Sequence, residues 1–345
     1  MRIRYAIPAL TLAVALIVLS WGTDTLDDGQ FAVQGSLNGQ AVESPNADIV
    51  DVPIVDVPEA EPAVSEPSAG PADETQAAQE QAVPIAVGGG SILAERRLVT
   101  YYGHPFDERM GILGELDQET LVARLRRAAA LYEAAGSSRP VQPAIHFIAT
   151  VAQEHAGSDG MYRARTPASV IEEYSRLAAE NGMLLILDVQ VGRSTVQEEV
   201  SALLPFLEQP HVHLALDPEF DMWADQLPGI QLGHMSAAEV NWTSNLLADI
   251  VARNRLPNKV LILHQYTASM LPDKQLIETR PGVDLVVVMD GFGGRGIKLR
   301  HYEWYVHDEL IQYGGIKMFF RQDVDLLEPA DVLALDPSPD VMVYQ

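Results

Sequence analysis

The chain has no cysteine among its 345 residues. That excludes disulfides, any thiolate metal site and a lipid-modified N-terminal cysteine. It is also poor in basic residues, with 23 Lys and Arg against 48 Asp and Glu and a formal net charge of −25. A nucleic-acid partner is thereby disfavoured, because neutralising phosphates requires clustered positive charge. From Gly22 to Ala94 there is not a single Lys or Arg. Asp, Glu, Pro, Ala, Ser and Gln dominate there, in runs such as Asp51-Val-Pro-Ile-Val-Asp-Val-Pro58. Such a segment has too little apolar surface to offset chain entropy, so a disordered, extended linker is expected over 22–95.

Before the linker stands Met1-Arg-Ile-Arg4 and then an almost unbroken apolar run from Tyr5 to Trp21. A basic start followed by an apolar stretch reads as a signal peptide or membrane anchor over 1–21, with no clear cleavage site after it. The expected protein is therefore exported, either secreted or held at the outer face of the cytoplasmic membrane. Its folded part is expected over 96–345 as a monomeric domain.

That part alternates apolar runs with amphipathic segments. Strands are expected at Leu98–His104, Gln142–Val151, Met183–Gln190, His211–Glu219, Lys259–Tyr266, Asp284–Phe292, Gly315–Gln322 and Val341–Gln345. Helical periodicity lies between them at Gln118–Ala135, Pro167–Asn181, Thr195–Glu208 and Ser236–Asn254. Cap signals precede several of these, namely Asp117 with Thr120, Ser194 with Gln197 and Ser236 with Glu239. Eight near-continuous Val/Ile/Leu strands in roughly 250 residues match a (β/α)₈ barrel. The doubly wound alternative lacks a G-x-G-x-x-G after its first strand.

A barrel of this kind works at the C-terminal ends of its strands. Reading those ends gives His104, Thr150, Asp188, Gln190, Asp217, Glu219, His264, Gln265, Tyr266, Asp290, Arg321, Gln322 and Tyr344. The opposite ends, such as Met183, Lys259 and Asp284, show no such density. Within His211-Val-His-Leu-Ala-Leu-Asp-Pro-Glu-Phe220, alternation puts His213, Ala215, Asp217 and Glu219 on one face. Paired carboxylates there would be poor packing design unless they do chemistry. The expected catalytic set is Glu219, Asp217, Asp188 and Asp290, with His104, Gln190, His264, Tyr266, Gln322 and Trp223 binding substrate. His146 and His213 lie early on their strands and read as core histidines. His155 and Asp159 suit a surface loop, and Glu239 and Asn241 suit a helix start.

Asp217-Pro-Glu219 resembles the D-x-E ending of chitinase-type glycoside hydrolases. The resemblance implies Glu219 as general acid, Asp217 as its partner and a carbohydrate substrate without a cofactor. The family's longer D-x-x-D-x-D-x-E run and its strand-eight Trp are missing. Residues from about 98 onward also resemble uncharacterised secreted bacterial barrel proteins, on Asp188-Val-Gln-Val-Gly-Arg-Ser194, Ala215-Leu-Asp-Pro-Glu219 and His264-Gln-Tyr266. That likeness implies a barrel and export but no activity. The leading expectation is a glycoside hydrolase acting on cell-wall or extracellular glycans. Two alternatives stand beside it. One is a metal-dependent hydrolase holding a divalent ion through Asp188, Asp217, Glu219 and His264. The other is a barrel that binds glycans without cleaving them.

Overall fold

The computed structural model describes residues 90–345. The expected anchor over 1–21 and nearly all of the expected linker lie outside them. Among the described residues no helix is long and apolar enough to cross a membrane.

Eight parallel strands close into a (β/α)₈ barrel: β1 (Arg97–Gly103), β2 (Val141–Ala152), β4 (Leu184–Val189), β5 (Val212–Leu216), β6 (Lys259–Gln265), β7 (Val283–Met289), β8 (Tyr313–Met318) and β9 (Val341–Tyr344). A ninth, β3 (Arg163–Arg165), runs antiparallel to the far end of β2, pairing Thr150 with Arg165. Closure is made by β1, which pairs with β2 on one side and β9 on the other. The expected TIM-type architecture is thus the observed one, with strand boundaries shifted by at most four residues.

Helices α2 (Gln118–Ala134), α3 (Ala168–Glu180), α4 (Val196–Ala202), α5 (Leu204–Leu207), α6 (Ala237–Asn254), α7 (Arg295–Tyr302) and α8 (Pro329–Leu333) join the strands, after a single-turn α1 (Ile92–Glu95). Asp117 caps α2 by accepting from Thr120 N–H, and α6 opens on the Ser236/Glu239 capping box. The third cap falls one residue later than expected, on Thr195 with Glu198. The helix expected over Thr195–Glu208 is broken at Leu203, where Pro205 supplies no N–H and restarts the helix as α5.

Alternation sorts every strand into two faces. Val99, Ile145, Leu185, Leu187, Leu214, Leu261 and Leu285 face the helices and build the larger core. Leu98, Ala144, Leu184, Ile186, Ala215, Val260, Ile262, Val286, Val288, Val341 and Val343 face inward and fill the barrel. Its floor is stoppered by Leu93 of α1, which is fully buried among them. Ser91 caps α1 and donates to Asp284 at 3.0 Å, and Gly90 O accepts from Asn258 N–H. The folded part therefore begins before residue 96, and α1 belongs to the barrel rather than to the linker.

At β8 a side chain would not fit. A Cβ on Gly315 would stand 2.7 Å from Val288 Cγ2 and 2.9 Å from Val341 O, and one on Gly314 would stand 2.5 Å from Val306 Cγ1.

Candidate active site

The inward positions near the upper rim are polar. Tyr102 on β1, His146 on β2, Asp188 on β4, His264 on β6 and Lys317 on β8 occupy one layer, with Asp217 and Asp290 just past the ends of β5 and β7. All seven are buried, and His146, Asp188 and His264 are fully so. Ladder pairing sets the layer, since Tyr102 lies opposite His146 and Asp188 lies beside Ile148 and Ala215.

Asp188 is the hub. Its Oδ2 lies 2.9 Å from His264 Nε2 and 3.2 Å from His146 Nε2. Burial opposes its ionisation, but the two imidazoles outweigh that and hold it well below the usual carboxylate range. His264 Nδ1 faces Asp290 Oδ2 at 2.9 Å, off the line of a well-formed hydrogen bond. Burial alone would strip His264 of its proton, yet Asp290 and Asp188 against its two nitrogens lift it to about 10. His146 goes the other way. Desolvation pushes it down to about 4, so its ring is neutral at physiological pH.

Lys317 Nζ lies 3.1 Å from Asp290 Oδ2 and 3.8 Å above the Tyr102 ring, a cation–π contact. Asp290 stays below the normal carboxylate range, because Lys317 and His264 overcome its burial. Tyr102 also sets its edge against the His146 and His264 rings, with centroids at 4.9 and 5.8 Å. Gln190 positions this tyrosine. Its Oε1 accepts from Ala152 N–H and its Nε2 donates to the Tyr102 hydroxyl at 3.3 Å.

Above the layer stand Asp217, Glu219 and Tyr266. Strand β5 ends at Leu216, and Pro218–Phe220 forms a single 3₁₀ turn. Alternation therefore holds to Asp217 but not to Glu219, which the turn lifts to partial exposure. Asp217 Oδ1 bends back to accept Glu219 N–H at 3.2 Å. Desolvation, with the Asp188 and Glu219 charges adding to it, raises Asp217 well above its ordinary value despite His264 nearby. Glu219 is pushed up to about 7 by desolvation and then by Asp290, with Lys317, His264 and a hydrogen bond to Tyr266 pulling back. The Tyr266 hydroxyl is raised by desolvation and by that same carboxylate.

The structure brings Asp188, Asp217, Glu219, His264, Tyr266, Asp290 and Gln190 together at the inner mouth. Three other expected residues fall elsewhere. Gly103, at φ +149°, breaks the alternation of β1, so His104 turns toward Phe147 and bonds Thr166 Oγ1 at 3.1 Å. Gln322 is exposed in the turn after β8. Trp223 is 64% exposed on the loop after β5, its ring edge-on to His234. Two central residues, Tyr102 and Lys317, carry no expectation in the sequence, and a third, His146, expected as a core histidine, instead joins the site through Asp188. Their shared signal is a polar side chain at inward parity within an apolar strand.

Of the four expected metal ligands, Asp188 and His264 lie together. Asp217 is occupied as a cap and Glu219 rides above it. The group of three whose donor atoms lie within 4.8 Å of one another, among the described residues, is His146, Asp188 and His264.

No family model and no curated protein matches this chain. Its likeness to solved structures is weak. The N-terminal domain of a "putative aldolase" from Bacteroides vulgatus is 12% identical, with a TM-score of 0.36 over 73% of this chain and 72% of that one. The Proteus mirabilis N-acetylneuraminate lyase is 13% identical, with a TM-score of 0.31 over 72% and 69%. At these values the likeness assigns this chain no activity. Both names are of the aldolase and lyase kind and neither is of a glycoside hydrolase, so no comparison supports the glycoside-hydrolase expectation, which is corrected to a barrel without an assigned reaction. Asp188 and Asp290, expected in the catalytic set, are each held between imidazole or cationic groups that favour their charged form. The chitinase-type resemblance likewise reduces to a shared barrel.

Proposed function

We propose that this barrel is an enzyme that transfers a proton beside the carbonyl group of a small, uncharged, hydroxyl-rich compound, as lyases and isomerases do. The observation that carries this reading is Glu219. It is the partly exposed carboxyl at the mouth, near Tyr266, and burial with Asp290 close by pushes its pKa up to about 7. A group poised near the working pH serves as base in one step and as acid in the next. The Lys317 ammonium and the Tyr266 hydroxyl supply donors for the oxyanion that forms when a neighbouring carbon loses its proton. The surplus of carboxylates favours a substrate that donates hydrogen bonds through hydroxyls and disfavours an anion. Sugar-derived aldehydes and ketones fit that description. Action outside the cytoplasmic membrane belongs to the same proposal and rests on the basic start and apolar run at the N-terminus.

The test is proton exchange. The full chain is incubated in D₂O with a panel of hydroxylated aldehydes and ketones, and NMR follows deuterium uptake at the carbon next to the carbonyl. Exchange with at least one compound is expected, falling by roughly a hundred- to ten-thousand-fold in Glu219→Gln. No exchange above buffer with any compound, or equal exchange by Glu219→Gln, would overturn the reading.

A further inference from the structure

We propose that His146 Nε2, Asp188 Oδ2 and His264 Nε2 form a binding site for one first-row divalent cation inside the barrel, with Asp290 orienting His264. The site lies below the Glu219–Tyr266 pair and does not depend on the reaction assigned to that pair.

The first support is convergence. Three side chains from β2, β4 and β6 share inward parity and bring two imidazole nitrogens and one carboxylate oxygen within 4.8 Å of one another. Two imidazoles and a carboxylate are the borderline donor set that suits zinc, iron, cobalt or manganese. Both imidazoles aim Nε2 at the same oxygen, at 2.9 and 3.2 Å, while Asp188 Oδ1 has no partner at all. An ordinary structural aspartate would spread its bonds over both oxygens.

Unmet polarity is the second. His146 is fully buried with Nδ1 unpartnered, and its ring lies 5.4 Å from that of His264. A buried imidazole that makes a single bond, to an oxygen it shares with another imidazole, is costly packing. Coordination of both Nε2 atoms to a common cation gives that arrangement a reason.

The third support lies outside the trio. Metal-bound histidines commonly present their second nitrogen to a carboxylate, which fixes ring orientation and tautomer. His264 does so, with Nδ1 2.9 Å from Asp290 Oδ2, and Asp290 is itself held by Lys317. Three protein donors leave a coordination position for a water or a substrate oxygen, the arrangement of catalytic rather than structural metal sites.

The experiment uses the full chain, stripped with chelator and dialysed separately against zinc and manganese. Bound metal is measured by mass spectrometry and stability by thermal melting. One ion per chain and a raised Tm are expected with one of the two metals. His146→Ala and the isosteric Asp188→Asn should lose both effects. Asp290→Asn keeps all three donors and should bind roughly 10- to 100-fold more weakly. Cobalt(II) provides a readout that needs no variant, because coordination by imidazole changes its visible absorption. Failure to retain metal, retention equal in His146→Ala, or a cobalt spectrum identical to that in buffer would each overturn the site.

Discussion

The two ends of the barrel interior both bury charge, but they treat it differently. At the floor, Asp284 receives Ser91 and Leu93 N–H on one oxygen and Asn258 on the other. Lys259 donates to the carbonyls of Gln209 and Val212. Each of these charges is answered by neighbours that anchor α1 and the α5–β5 turn. At the rim, Asp188 Oδ1, Asp290 Oδ1 and His146 Nδ1 are buried with no partner. Unmet hydrogen-bonding capacity is a cost that folding alone does not call for. Asp284 and Lys259 are saturated where the rim carboxylates are not, although Arg97 Nε and His213 Nε2 near the floor also lack partners. The apolar layers between them, Ile186, Ala215, Ile262, Val286 and Val288, keep the two sets apart.

Substitutions can break that contrast. The largest effect is expected for Leu93→Ala, which opens a cavity in the floor and should cost about 2–5 kcal/mol of stability in denaturant unfolding. An unchanged midpoint would show that α1 is dispensable. Asp284→Ala comes next, because it leaves Leu93 N–H buried and unpaired; a loss of about 1–3 kcal/mol is expected. If it proves neutral, the floor charges are not the scaffold described.

Glu219→Gln should change stability with the opposite sign. The folded pKa of Glu219, about 7, lies above its ordinary value, so the native chain holds a proton that the unfolded chain releases earlier. Wild-type stability therefore falls as pH rises from the ordinary carboxyl range through about 7. Glutamine has no proton to lose. Thermal melts at pH 8 should place the variant roughly 2–4 °C above wild type, the equivalent of about 1 kcal/mol in a domain of this size. At pH 4 the two should coincide, and a gain there would mean that titration is not the cause. The smallest effect is expected for Gln322→Ala, within about 0.5 kcal/mol and with no change in proton exchange, since the side chain is exposed.

Periodicity made the barrel legible, because parallel strands covered on both faces must be continuously apolar and helices between them must be amphipathic. The caps at Asp117 and Ser236 were legible for the same local reason, while the one expected at Ser194 falls on Thr195. The carboxylates were found by reading strand ends, and that habit also explains what was missed. His146 lies at rim height but in the middle of β2, because β2 runs on past the barrel to pair with β3. The expected strand already ran to Val151, but a three-residue antiparallel partner leaves too short a pattern to show where the barrel ends along it. Lys317 is one residue from the end of β8, but Gly315–Gln322 was read as a longer strand whose end lay at Gln322. His104 failed through a single backbone angle at Gly103. Glu219 pointed as hoped only because a proline-led turn replaced the last part of the strand.

Strand β8 has no slack on either face. Gly314 and Gly315 meet Val306, Val288 and the backbone at Val341 where any Cβ would intrude. Two residues on, Lys317 O accepts from Lys298 Nζ while its own ammonium reaches Asp290. In a library covering every position, selection for folding alone would purge the first pair, and selection for activity would then act on Lys317. The two filters would fall on neighbouring residues of one strand, so drift of this sequence is tightly confined at β8.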